Sequence, residues 1–176
     1  MVDTPDRPAK RPYARIERER RFLVAELPEH LRAAPFQRLR DLYIGGTQLR
    51  LRRVEDPGGG VVQLKLGQKR PDPDAPEDAR HRQMTTCYLD LAEEAALSGL
   101  PGLHTVKRRY AWPEQGWTFV LDVYEAPPGA AGTMVAEVEC DSDEALDGIA
   151  VPAWCVREVT EDPAYSAVAL AAREGA

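Results

Sequence analysis

Carboxylates two residues apart recur near opposite ends of this chain, at Glu17 and Glu19 and again at Glu137 and Glu139. Alternate side chains of an extended strand share a face, so each pair presents two carboxylates side by side, and Arg21 lies on the face of Glu17 and Glu19. Basic pairs follow the same spacing at Arg50 with Arg52 and at Lys107 with Arg109, and Lys65 sits between leucines that face the other way. Four carboxylates offer the hard oxygen ligands that Mg²⁺ or Mn²⁺ prefers, with positions left for water and substrate phosphates. Arg21, Arg50, Arg52, Lys65, Lys107 and Arg109 together mix planar forks with point charges, a combination suited to gripping several phosphates at once. Acids and bases gathered into one cavity would be equipped for metal-dependent phosphate chemistry.

A lone Glu-x-Glu is more often a solvated edge strand, and basic residues on strands commonly pair across the sheet or guard an edge. Arg18, Arg20, Arg53 and Arg108 fall on the alternate face and fit that ordinary role, as do Arg38 and Arg40. Two acidic pairs with basic pairs between them favour a shared site. A closed antiparallel sheet with a polar lumen would gather all of them.

The elements needed to position these residues are present. Alternation and turn residues predict strands over 14–24, 39–44, 47–54, 61–69, 82–89, 105–112, 117–125 and 133–141, with a last short strand over 157–160. Gly45-Gly46 turns one hairpin and Asp56 to Gly60 the next. Short helices are expected over 27–34, 92–100, 143–149 (capped by Ser142) and 164–173. The proline-rich stretch 70–78 reads as an exposed loop. The expected fold is α+β, an eight-stranded antiparallel barrel with a few short helices. Residues 1–12 read as a disordered tail, and 13–174 as one domain.

At 176 residues the chain is long enough for one sizeable core, and its net charge of −6 argues against nonspecific nucleic-acid binding. Cys87, Cys140 and Cys155 show no CxxC spacing and read as reduced thiols. No apolar run reaches the roughly 18 residues of a membrane span, and the start lacks an apolar signal core. A cytoplasmic protein, a monomer or homodimer with no nucleic-acid or membrane partner, is the expectation. No P-loop occurs, and His30, His81 and His104 are assigned no chemistry.

The run from Glu17 to Val24 resembles the N-terminal ExExK signature of the CYTH superfamily, the triphosphate tunnel metalloenzymes, and most closely its short bacterial stand-alone members. The likeness continues in the family's order through Asp41 to Ile44, Leu49 to Arg53, Leu64 to Gly67, Tyr88-Leu89, Lys107 to Tyr110, Asp122 to Glu125, Ala136 to Glu139, Arg157 to Thr160 and Asp162 to Tyr165. The resemblance implies a tunnel that binds a linear triphosphate. Glu137 and Glu139 would carry most of the metal binding, Glu17 and Glu19 would complete the metal and water side, and Asp122 would stand on the neighbouring strand. Arg50, Arg52, Lys65, Lys107 and Arg109 match the phosphate-gripping positions. Arg21 departs from the family's Lys while keeping the charge, and is expected to contact phosphate. Members often plug the tunnel with a basic C-terminal helix, for which this chain offers only Arg173. The implied activity is hydrolysis of a small-molecule triphosphate, inorganic tripolyphosphate first. A nucleoside or thiamine triphosphatase, a class IV adenylyl cyclase and a noncatalytic polyphosphate sensor are the alternatives. Trp112, Trp117 and Tyr124 are candidates to stack on a larger substrate, though core packing suits each better.

Overall fold

In a computed structural model, residues 13–114 and 116–174 are described. The strands are β1 (Arg15–Val24), β2 (Gln37–Ile44), β3 (Leu49–Glu55), β4 (Val61–Pro71), β5 (His81–Tyr88), β6 (Gly102–Glu114), β7 (Trp117–Ala126), β8 (Met134–Cys140) and β9 (Cys155–Glu158). Helices α1 (Leu91–Ser98), α2 (Asp143–Asp147) and α3 (Ala167–Ala171) are short. The strands run in the order β5-β4-β3-β2-β6-β7-β8-β1, and β1 then pairs with β5, closing an eight-stranded antiparallel barrel. Closure depends on the length of β1. Arg18–Val24 pair with β8 along one edge, while the other edge is shared by β5 at Arg15–Arg18 and β9 at Phe22–Val24.

Strand alternation sends charge inward and apolar groups outward. Phe22, Tyr110, Trp112, Phe119, Leu121 and Val138 form a core on the outer wall with Leu146, Ile149 and the partly buried Trp154. Trp112 and Trp154 lie 4.3 Å apart between ring centroids, and Phe119 meets Trp154 edge-on. Each such buried side chain contributes about 1.5–3 kcal/mol, so the wall around the charged lumen is held from outside. Trp112 and Trp117 belong to this packing, and Tyr124 packs at one end of the barrel with Val135 and Leu170. On the opposite outer wall, Leu42, Ile44 and Leu51 pack against Leu97 of α1, whose N-terminus is closed by a reciprocal Asp90–Glu93 capping box.

The β2–β3 hairpin turns with Gly46 at φ 71°, a backbone region open to glycine. Several expected segments differ, and the last strand, for one, lies at Cys155–Glu158 rather than 157–160. Residues 27–34 yield one 3₁₀ turn at Glu29–Leu31, because Pro28 and Pro35 flank it too closely for a longer helix. The stretch 70–78 is not all exposed loop: Arg70 and Pro71 extend β4 against Gln83 and Arg82, and Asp72 and Pro73 are buried. The C-terminal helix is interrupted, with a 3₁₀ turn at Pro163–Tyr165 before Ser166 caps α3 through Ala169 N–H. The tail expected over 1–12 lies outside the described residues.

Candidate active site

Register places every site residue read from the sequence on strands whose faces meet in the barrel. Glu19 lies opposite Glu139 and Arg21 opposite Glu137 across the β1–β8 ladder. Arg52 lies opposite Lys65 on β4 and opposite Asp41 on β2. Lys107 faces Tyr124 and Arg109 faces Asp122 across β6–β7.

The acidic wall is formed by β1 and β8. Glu17, Glu19 and Glu139 bring carboxylate oxygens within 4.8 Å of one another. Burial and the charges of Glu17, Glu19 and Glu137 push the Glu139 carboxyl up from its ordinary value. Lys69 on β4 relieves part of this repulsion, with Nζ 2.7 Å from Glu19 and 3.7 Å from Glu17. Arg15 adds a bond of 2.6 Å to Glu17 at the outer end. Oxygen-only donors in this number suit a Mg²⁺- or Mn²⁺-type ion. Glu137 is held apart from the trio by Arg109, which donates to it at 3.2 Å. Burial and Asp122 act to raise the Glu137 carboxyl, but Arg109 and Lys107 prevail and it lies below its ordinary value.

The basic residues divide into quenched and available groups. Arg52 donates to both oxygens of Asp41, with the pair almost wholly buried. Arg109 clamps both oxygens of Asp122 at 2.7 Å, and Lys107, 2% exposed, bonds the same carboxylate. Burial opposes ionisation of Asp122, yet Arg109 and Lys107 hold its carboxyl well below the usual carboxylate range. Asp122 therefore stays ionised and orients two cations. Arg50 and Lys65 differ, because neither forms an ion pair among the described residues. Nε of Arg50 is buried without a hydrogen bond. Burial and the charges of Arg52, Arg50 and Arg109 push Lys65 below its ordinary value. Two cations without a direct ion pair and three crowded carboxylates, all on inner faces of one barrel, can receive a polyanion and a metal together.

Arg21 shares the face of Glu19, its Nε 4.0 Å from that carboxylate. Its terminal nitrogens, however, donate to the carbonyls of Thr160 and Tyr165 at 2.6 and 2.9 Å. The outward arginines behave as their spacing implied: Arg18 pairs with Asp143, Arg20 with Glu158, Arg53 with Glu94 and Arg108 with Glu125. Arg38 and Arg40 pair with Glu125 and Glu55. Asp41, Lys69 and Arg15 were missed by sequence reading. Lys69 was legible, because it follows Lys65 by two strand periods. A cavity of about 240 Å³ lined by Trp117, Phe119 and Ile149 lies on the outer wall and belongs to the packing there.

Among the described residues no helix is long and apolar enough to cross a membrane. No family model matches the chain, and no curated protein matches it significantly in sequence. Solved structures do. The crystal structure of the inorganic triphosphatase NE1496 is 27% identical over 91% of this chain and 97% of that one, with a TM-score of 0.59. A second structure of NE1496, described as a hypothetical protein, is 28% identical over 88% and 97%, with a TM-score of 0.57. A protein of Bacillus halodurans provisionally named an adenylate cyclase shares the fold at 18% identity over 77% and 86%, with a TM-score of 0.52.

Proposed function

We propose that this protein is a divalent-metal-dependent triphosphatase whose principal substrate is inorganic tripolyphosphate, cleaved to pyrophosphate and phosphate. One observation carries the reading: Glu17, Glu19 and Glu139 crowd within 4.8 Å of one another in the same lumen as Arg50 and Lys65, which form no ion pair among the described residues. Folding alone has little use for that arrangement, since crowded like charges and half-buried cations without a direct partner both cost stability. Likeness to a structure named an inorganic triphosphatase supports it.

Glu17, Glu19 and Glu139 would hold Mg²⁺ or Mn²⁺, with Glu137 two residues along β8 on the same face. A bound ion of this kind supplies Lewis acidity toward phosphoryl oxygen and toward water. The chain's own residues do the rest. Arg50 and Lys65 neutralise the entering triphosphate. Asp122 fixes Arg109 and Lys107, so two further cations border the chain without having to reorganise. Water adds in line to the terminal phosphorus as its bond to the bridging oxygen breaks. Pyrophosphate leaves with that oxygen, and the water proton passes to a lumen carboxylate or solvent.

A panel of tripolyphosphate, ATP, thiamine triphosphate and long-chain polyphosphate, each with Mg²⁺ and with Mn²⁺, tests the reading. Phosphate release fastest from tripolyphosphate and abolished by chelator is expected. Cyclic AMP with pyrophosphate from ATP would make the protein a cyclase, and tight binding without turnover would make it a sensor. A second reading, a nucleoside triphosphatase, is favoured by one feature. Tyr88 is 70% exposed and shares the lumen face of its ladder partner Lys65, leaving its ring available at the open end.

A further inference from the structure

The carboxylates of β1 are already attended by cations of the chain itself. Lys69 Nζ lies 2.7 Å from one oxygen of Glu19 and 3.7 Å from one oxygen of Glu17. Arg15 bonds the other Glu17 oxygen at 2.6 Å, and Arg21 Nε stands 4.0 Å from the other Glu19 oxygen. Every oxygen of this pair therefore has a cation beside it, while Glu139 forms no ion pair among the described residues. What holds these cations differs. Arg21 is tied to the Thr160 and Tyr165 carbonyls. The Lys69 side chain is 37% exposed, and its ammonium pairs with the two carboxylates alone among the described residues.

Strand β4 gives that ammonium a second place to lie. Lys65, Gly67 and Lys69 alternate along the lumen face, and Gly67 stands opposite Arg50. A Cβ at Gly67 would meet a terminal nitrogen of Arg50 at 3.9 Å and Cε of Met84 at 3.7 Å. No side chain of β4 thus separates Lys69 from the Arg50 guanidinium. Two residues of strand span about 7 Å, comparable with the flexible four-carbon stem of lysine. A divalent ion bonded to Glu17, Glu19 and Glu139 would repel the ammonium now held there. It also carries the charge of Lys69 and Arg15 together, so exchanging it for both leaves the net charge of the wall unchanged.

We infer that Lys69 couples metal entry to phosphate binding: it holds the β1 carboxylates together until a divalent ion displaces it, then crosses Gly67 to phosphate held at Arg50. The inference rests on the metal and triphosphate reading above. Occupation of the acids by lysine weakens apparent metal affinity. The displaced ammonium in turn strengthens phosphate binding, and that coupling is reciprocal.

Lys69→Gln and Lys69→Arg are compared with the wild type in two titrations. The first follows Mn²⁺ binding by electron paramagnetic resonance without phosphate. The second follows pyrophosphate, the proposed product, by calorimetry without metal and at saturating Mg²⁺. Lys69→Gln should bind Mn²⁺ about fivefold more tightly, short of tenfold because the ammonium is partly solvated. Lys69→Arg keeps the charge and should bind it no more tightly than the wild type. Lys69→Gln should weaken pyrophosphate by about fivefold with Mg²⁺ and by less than about twofold without it, a difference that a merely structural lysine does not produce. Unchanged or weaker Mn²⁺ binding in Lys69→Gln would overturn the displacement. Equal weakening of pyrophosphate with and without metal would overturn the transfer. Mn²⁺ bound equally by all three proteins removes this inference alone, whereas no binding by any of them removes the metal reading as well. In the wild type, the ¹⁵N signal of the Lys69 ammonium should shift when Mg²⁺ is added. A stationary signal would reject displacement even if Lys69→Gln does not fold.

Discussion

Arg52 donates through Nε and a terminal nitrogen to the two oxygens of Asp41, at 2.6 and 2.7 Å, with both side chains almost wholly buried. Asp41 is thereby the counter-ion that lets a barrel interior keep an arginine in place before any substrate arrives. Removing one partner of a buried pair leaves the other charge uncompensated, at a cost of about 3–5 kcal/mol. Asp41→Asn should lower unfolding free energy by that order in urea titrations at neutral pH. Burial opposes ionisation of Asp41, but Arg52 and Arg50 hold its carboxyl far below the usual carboxylate range. A depressed carboxyl contributes stability at pH above its unfolded value, and loses it as pH falls through the folded one. The gap between wild type and variant should therefore be flat near neutrality and shrink only below about pH 4. A loss under about 1 kcal/mol would show that the pair is replaceable by packing.

Glu137 and Glu139 stand two apart on one strand but affect the stability of the lumen in opposite senses. Arg109 stabilises the charge of Glu137, whereas burial and the neighbouring carboxylates Glu17 and Glu19 oppose that of Glu139. Glu139→Gln should raise stability of the metal-free protein by about 0.5 kcal/mol, a modest figure because that side chain is partly solvated. Glu137→Gln should lower it by breaking a charge-assisted bond. Both should cut metal-dependent phosphate release by about 100-fold, the upper range seen when metal surroundings are disturbed. Thermal melts with and without Mg²⁺, beside initial rates, separate these effects. Full activity in both variants would remove Glu137 and Glu139 from the metal site.

Lys65 supplies the expected upper limit in pH. Burial first, then Arg52, Arg50 and Arg109, push its ammonium below the ordinary lysine value. Above that depressed value Lys65 is neutral before substrate binds, and a bound triphosphate must recover its proton. Affinity should thus decline as pH rises through a range below the usual lysine pKa. Lys65→Arg keeps its charge and should move the decline upward. Calorimetric titrations from pH 7 to pH 10 measure both, and superposed profiles would remove Lys65 from the phosphate grip.

The barrel was legible in the sequence because period-two alternation of charge with apolar residues survives in several strands, as in Leu49-Arg50-Leu51-Arg52 and Glu137-Val138-Glu139. The division of cations into held and available ones was not. Asp41 reaches Arg52, and Asp122 reaches Arg109, only because of the β2–β3 and β6–β7 registers. Registers depend on turn geometry and on the stagger that closes a barrel, so which acid meets which base is not read from the pattern of one strand alone. Arg21 shows the same limit. Its face followed from alternation, but its carbonyl partners lie 139 and 144 residues away. Lys69 escaped for a simpler reason, since it stood where the strand was expected to end, and β4 in fact runs on to Pro71.

Tyr88 decides between an inorganic and a nucleoside triphosphate. Its ring is 70% exposed although it occupies a lumen-face position beside Lys65, and α1 begins at Leu91 just beyond it. A base stacked there would leave its phosphates to run inward toward Lys65 and Arg50. Aromatic stacking on a base is worth about 1–3 kcal/mol. Tyr88→Ala should therefore reduce kcat/KM for ATP by about tenfold, through KM, if nucleotides are taken at all. Tripolyphosphate has no base to lose, and its kcat/KM should change by less than about twofold, well inside one hydrogen bond's worth. Parallel Michaelis–Menten series on the two substrates make the comparison. Equal, small changes for both would mean that Tyr88 offers no platform, and would leave the inorganic chain as the substrate that this lumen fits.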